Sequence, residues 1–314
     1  MPLPGTLGHA PDMGLNVIAL AGRGRIGLAT RPGRAYQTLM TETLQVDDVQ
    51  FCRPRHLPEV ELVSVAYRDR RFPEHHHDEF VIGAITAGAE ELTLGRHVHL
   101  ADRGSVLRLR PREAHANATL GDEILRYAVL YIPGAILERH FDGPPPTRLG
   151  FASPVVRSPR LHRIVCEVHG ILASRTSERL EQESAIGRLA EAIGLEPASA
   201  DSDLASPAAV ERARQHIDAH YAESFGLDEL SRLAGVSPFH LVRTFKKVVG
   251  VSPLAYRNQR RLAAARRRLA AGQSTIQIAL ELGYADQSHF TRQFQRVVGI
   301  SPRRYALGIA GPPR

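Results

Sequence analysis

The chain has 314 residues, 43% of them hydrophobic, which is enough for two domains with cores of their own. Its net charge of +7 is unevenly held: residues 207–314 carry 17 Arg/Lys against 7 Asp/Glu, net +10, while residues 1–206 sum to −3. A basic excess confined to one half is the footprint of a polyanion-binding domain. No apolar run reaches the eighteen or more residues of a membrane-spanning helix.

Residues 1–45 are rich in Gly, Pro, Arg and Thr and lack periodicity, so disorder is expected at least through Ala35. The stretch Arg23–Arg34 reads as a solvated tail in preference to a basic arm on DNA. The opening MPLPGTLGHAPDMG lacks a charged segment leading straight into an apolar core and is a poor export signal. Two distant cysteines, Cys52 and Cys166, fit a reducing cytoplasm and exclude a Cys-rich zinc module.

Residues 46–141 change character. Short β-rich runs, VELVSVAYRD, FVIGAITAG, EELTLG, HVHLADRGSVLRLRP and LRYAVLYIP, alternate with Gly, Pro, Asp and Asn, the pattern of a sandwich or barrel. Within this region stands FPEHHHDEF (Phe72–Phe80), followed by Gly104, Pro111 and His115. His75 and His77 alternate along a predicted strand and so point to one side. With His115 and Glu79 they form a set that suits zinc, nickel, manganese or iron. The same groups can hydrogen-bond or ion-pair a small polar effector, or they can simply pack, with His76 and even His75 facing solvent. Glu79 stands two residues after His77. His97 and His99 fall on a predicted strand edge and read as surface residues.

Residues 142–196 open on a proline-rich break, DGPPPTRLG (Asp142–Gly150), and continue as two amphipathic helices. Leu161, Ile164, Val165, Val168, Ile171 and Leu172 form one apolar stripe; Leu180, Ile186, Leu189 and Ile193 form the other. Both stripes can simply cover the β-rich region. Residues 197–207, PASADSDLASP, form a small-residue acidic linker.

The remaining chain says one thing twice. AGVSPFHLVRTFKKVVGVSP (Ala234–Pro253) returns as LGYADQSHFTRQFQRVVGISP (Leu282–Pro302). Each copy reads as helix, Gly turn, helix, with Ser237 or Asp286 as N-cap and Pro238 at the first helical position of copy one. Leu241, Phe245 and Val248, and likewise Phe290, Phe294 and Val297, lie at core-facing spacing. The opposite stripes are Phe239, Val242, Arg243 and Lys246, and Ser288, Thr291, Arg292 and Gln295. Arg beside apolar and hydrogen-bonding groups on one helix face suits a DNA major groove. Between the copies, Ser252–Gly272 predicts one helix of about 18 residues, roughly 27 Å long. That length could set two reading helices about one DNA turn, roughly 34 Å, apart.

These residues resemble the DNA-binding domain of the AraC/XylS family of bacterial transcription regulators, the run Ala279–Tyr305 above all. The resemblance covers residues 208–306 and leaves 307–314 as a tail. It implies that Phe239, Val242 and Arg243 read bases from the first recognition helix, and Gln287, Ser288, Thr291 and Arg292 from the second. Lys246, Lys247 and Arg296 join them as DNA contacts. Ser231 departs from the Ala usual at its place. Residues 46–141 resemble the cupin-type sensor domain of the same family, with Glu113 where Gly is usual. That implies an effector site at His75, His77, Glu79 and His115, with a divalent metal on His75, His77 and His115 as a variant. The fold expected is an all-β cupin-like barrel followed by helices, then an all-α double helix-turn-helix domain.

The function implied is a cytoplasmic, sequence-specific regulator, commonly an activator. Its partners would be operator DNA, a small-molecule effector, a second copy through residues 142–196, and RNA polymerase. A metal-dependent cupin enzyme tethered to DNA is the alternative. An alkylation-repair protein needs a four-cysteine cluster that this sequence lacks, and a nonspecific architectural binder has no use for two matched reading helices.

Overall fold

The computed structural model describes residues 47–140, 149–194, 196–197 and 207–310. The disorder expected before residue 46, most of the proline-rich break and the acidic linker, and the last four residues lie outside that range.

Nine strands build the first half: β1 (Asp48–Cys52), β2 (Glu61–Tyr67), β3 (Arg71–His75), β4 (Phe80–Ala87), β5 (Ala89–Leu94), β6 (His97–Asp102), β7 (Ser105–Leu109), β8 (His115–Leu120) and β9 (Leu125–Ile132). After a short helix α1 (Gly134–Glu138) and a two-residue β10 (Leu149–Gly150), β11 (Val155–Arg157) rejoins the structure by pairing with β7. The larger sheet runs β1-β2-β9-β4-β7-β11 and the smaller β3-β8-β5-β6, while β10 pairs with Glu196–Pro197 in a separate two-stranded ladder. The expected β-rich sensor half is thus two facing antiparallel sheets that share no strand among the described residues.

The sequence pattern explains why the larger sheet is buried on both sides. Val63, Val65 and Tyr67 of β2, Val81 and Ile85 of β4, Leu107 and Leu109 of β7 and Val129 of β9 face the smaller sheet. Leu62, Ile82, Val106 and Leu130, one position out of phase, face two helices, α2 (Pro159–Ala173) and α3 (Arg179–Ala192). Ser158 caps α2 by accepting a hydrogen bond from the Leu161 amide at 3.2 Å, with Pro159 at its first position. Leu161, Val165, Val168, Ile171 and Leu172 of the predicted stripe go into this sheet, each contributing about 1.5–3 kcal/mol by burial. Both stripes therefore cover the β-half within the chain; Leu180 alone of the second stripe is exposed. Residues 142–196 are also not purely helical, since β11 supplies an edge strand that local periodicity is too short to announce.

The second half is helical: α4 (Ala208–His220), α5 (Leu227–Ala234), α6 (Pro238–Val249), α7 (Pro253–Ala270), α8 (Thr275–Glu281), α9 (Gln287–Val298) and α10 (Pro302–Ala310). The predicted tail is part of α10 as far as Ala310. The caps are those the repeat implied: Ser237 accepts from His240 N at 3.3 Å and Asp286 from His289 N at 2.6 Å. Gly283 closes the α8 helix with φ +70, and a Cβ there would lie 2.0 Å from the Ala222 carbonyl, so both backbone and space demand glycine. Ser231 is buried with its hydroxyl donating to the Asp228 carbonyl at 3.1 Å, so the departure is satisfied. Val248, expected inside, is 41% exposed, because the core around Leu241 and Phe245 ends one turn earlier.

The two helix-turn-helix units have different cores. The first packs Leu241, Phe245 and Tyr256 with Val210, Ile217 and Leu230. The second packs Phe290, Phe294 and Tyr305 into one continuous cluster with Phe51, Val63 and Leu109 of the β-half. The joint is close: the Phe51 and Tyr305 rings meet edge to face at 4.9 Å. Among the described residues no helix is long and apolar enough to cross a membrane.

Candidate effector cavity and DNA-reading faces

Helices α6 and α9 put the sequence-predicted DNA contacts outside. Phe239 is 77% exposed, and Arg243, Lys246, Lys247, Gln287, Ser288, Arg292 and Arg296 are exposed, with Val242 and Thr291 half-buried at the flanks. An exposed Phe among cations has no core to serve, and a base edge or thymine methyl is the kind of surface that would cover it. Among the described residues Arg243, Lys247, Arg292 and Arg296 make no side-chain hydrogen bond or ion pair. Gln287 donates to Thr275 Oγ1 at 2.8 Å, and Lys246 pairs with Glu74 of the β-half at 3.0 Å.

Between the sheets lies a cavity of about 370 Å3, within the range of small-molecule sites. Its inner walls are the apolar alternates of the sheets, interrupted by Glu90, Asn117, Tyr127 and Tyr131. Its remaining wall is not β-structure. Leu262 and Arg266 of α7 and Val297 and Val298 of α9 close it, so a ligand there touches the DNA-binding half directly.

His75, His77, Glu79 and His115 all line this cavity. His75 and His115 are register partners across β3 and β8, which brings their rings to 4.4 Å. The strand alternation read from the sequence does not carry His77, because β3 ends at His75; His77 sits in the connection to β4, where its carbonyl accepts the Arg112 amide at 2.6 Å. One nitrogen from each of the three rings lies within 4.8 Å of the other two, and Glu79 is not part of that cluster. His76 departs from the solvent-facing alternative: it is buried against Tyr256, ring centroids 5.6 Å apart, with both ring nitrogens unpartnered. The turn also differs from expectation at Glu113. The left-handed residue is Arg112, φ +63, and Glu113 instead accepts the Arg110 amide at 3.0 Å. His97 and His99 lie on β6, an edge strand, as expected.

Burial governs the charges here. It holds the His75 imidazole below its ordinary range, and His77 well below, with His75 and His115 adding to the effect on His77. His115 is brought down to about 3, by burial and then by His75. Burial pushes the Glu90 carboxyl up to about 7, although Asn117 donates to it at 3.0 Å.

Sequence reasoning missed the groups that join the halves. Glu61 of β2, 3% exposed, pairs with Arg266, accepts the Tyr305 hydroxyl at 2.6 Å and reaches Arg53 at 3.4 Å. Arg260 pairs with Asp78 at 2.7 Å, Arg304 with Asp48, and Arg70 donates to the Gly299 carbonyl at 2.6 Å. The available signal was Glu61 itself, a carboxylate in phase with the inward-facing Val63 and Val65.

Two family models match the chain: a helix-turn-helix domain over residues 230–307 and an AraC-like ligand binding domain over residues 57–190. The chain thus carries the AraC-like ligand-binding and helix-turn-helix domains found together in AraC/XylS-type transcription regulators. Among curated relatives of this regulator is the uncharacterized HTH-type transcriptional regulator YbfI of Bacillus subtilis, 29% identical over 79% of this chain and 89% of that one. The HTH-type transcriptional activator RhaS of Yersinia pseudotuberculosis is 25% identical over 69% of this chain and 83% of that one. Among solved structures, unsaturated fatty acid bound ToxT from Vibrio cholerae shares the fold with a TM-score of 0.50, at 14% identity over 81% of this chain and 96% of that one.

Proposed function

We propose that this protein is an effector-controlled, sequence-specific activator whose α6 and α9 enter successive major grooves of operator DNA. The observation that carries the control is the shared wall: α7 and α9 close the cavity between the sheets. A ligand that fits the cavity better in one placement of the DNA-binding half than in another shifts the equilibrium toward that placement, by no more than its difference in affinity. The rod between the readers supports the two-groove geometry, since α7 has 18 residues and so spans about 27 Å.

Regulation is favoured over catalysis. The three clustered imidazoles have no carboxylate among them to act as a base. Both thiols are pushed up to about 12, chiefly by burial, which suits packing and not alkyl transfer. A cytoplasmic location, a homodimer and contact with RNA polymerase extend this reading. A second copy would meet faces other than the two apolar stripes already covered, and sedimentation velocity reads its formation.

The central test is footprinting on the operator. Arg243→Ala and Arg292→Ala should each weaken binding by about 1–3 kcal/mol and relax base preference at their own positions. Unchanged footprints in both variants would place the reading face elsewhere.

A further inference from the structure

The three rings that converge in the cavity ask for a ligand that accepts electron pairs. His75 donates Nδ1–H to the Pro73 carbonyl at 2.8 Å, and His115 donates Nδ1–H to the Glu113 carbonyl at 2.9 Å. Each donation leaves Nε2 as the lone-pair atom of a neutral imidazole. Such hydrogen bonds to the far nitrogen are the usual way a protein orients metal-binding histidines. The His77 ring makes no hydrogen bond among the described residues. It meets its neighbours only by ring contact, 5.0 Å from His75 and 5.4 Å from His115. Three imidazoles side by side, without an acid between them, repel through their lone pairs unless donors or a cation stand among them. A hydrogen-bonding effector would need three separate donors within that narrow space, whereas a single ion meets all three nitrogens at once.

We propose that His75, His77 and His115 form a divalent transition-metal site, so that the sensor cavity of this regulator is a metal-responsive one. The proposal deepens the effector reading and rests on it for the role of the cavity. An all-nitrogen imidazole set selects zinc, cobalt, nickel or their neighbours over magnesium and calcium, which prefer oxygen. Metal–nitrogen bonds of about 2.0–2.1 Å put tetrahedral ligands about 3.4 Å apart. The candidate nitrogens lie within 4.8 Å of one another, so the rings need close by no more than about 1.4 Å. His77 is the ring placed to make that movement, since its side chain makes no hydrogen bond among the described residues while its carbonyl, accepting the Arg112 amide, holds the backbone in place. Glu61, paired with Arg266, neutralises the cation whose charge bears on His77. The three imidazoles leave coordination positions for water or for an oxygen donor within the cavity.

The test uses the full chain, stripped with chelator and titrated with cobalt(II) by visible absorbance and with zinc(II) by calorimetry. The expected result is one ion per chain, no comparable binding of magnesium, and at least a tenfold loss of affinity in His77→Ala and in His115→Ala. His77→Gln provides a variant of similar size should the alanine disturb folding. A second histidine pair controls for surface chelation: His216 and His220 stack at 4.6 Å on α4, and His220→Ala should leave the affinity unchanged. Binding that is substoichiometric, or that survives His77→Gln and is lost in His220→Ala, overturns the site. Operator binding is measured on the same preparations. If it persists where metal binding fails, the metal proposal falls and the regulator reading stands; if operator specificity itself is missing, the regulator reading falls on its own account.

Discussion

Replacing Glu61 with alanine should loosen the joint between the two halves without unfolding either. The carboxylate is almost fully buried and is the counter-charge of Arg266, whose side chain is 17% exposed. Removing one member of a buried pair costs about 3–5 kcal/mol, most of it from the charge left behind. The lower end applies here, because Arg266 keeps a remnant of solvent contact and lines a cavity with room for water. The penalty acts only while the halves are docked; once apart, Arg266 is solvated. About 3 kcal/mol therefore shifts the docked-to-open ratio by roughly a hundredfold. Hydrogen–deuterium exchange is the assay. Amides of α10, which packs on β1, should lose protection by that order, while those of α5 and α6, with their own core, should not change. Equal protection of α10 in both proteins would mean that the apolar contacts alone hold the joint, and that Glu61 is not its latch.

Lys247→Ala should reduce the salt dependence of operator binding, lowering the logarithmic slope by about one without altering sequence preference, as expected of a phosphate contact; an unchanged slope removes it from the interface. Glu90 ionises near 4.5 in the unfolded chain and near 7 when folded. Between those values the folded state holds the extra proton, so stability falls as pH rises through that window and levels off above it. Glu90→Gln keeps an acceptor for Asn117, removes this slope, and should exceed the parent by up to about 3 kcal/mol at about pH 8. Urea titrations at both ends of the window check it, and parallel curves refute it. Gly283→Ala should cost more than about 2 kcal/mol, since left-handed strain is joined by the clash with Ala222. Gly272→Ala, at φ +82 with open space around it, bears the backbone strain alone, about 1–2 kcal/mol. Similar melting shifts for the two glycines would contradict the close approach at Gly283.

What could be read in advance was local. The repeat, the caps at Ser237 and Asp286, the glycine turns and the outward arginines all depend on neighbours within a turn or two. The short β-rich runs that form β2, β4 and β9 were legible for the same reason, while the burial of both their faces was not. The cavity wall was not, because it depends on which face of α7 meets the sheets. Arg266 stands in a run with Arg267 and Arg268, and nothing local distinguishes the one that pairs with Glu61. The solvent-facing alternative for His76 fails because the side it faces is occupied by Tyr256, 180 residues further along. Val248 shows the limit of periodicity itself: the spacing marks a face, and only the length of the opposing core decides where that face stops being covered.

The unequal cores of the two readers mean that they are moored differently. The second reader shares its apolar interior with the sandwich, so any change of shape around the cavity is handed to it as a rigid displacement. The first has an interior of its own that the β-half touches only at its border, through Ala114 and the His76 ring on Tyr256, and it hangs from the far end of the rod with fastenings such as Lys246 to Glu74. Operator half-sites bound by such a pair have unequal tolerance: the one under the moored reader registers the state of the sensor, and the other supplies grip that the sensor barely alters.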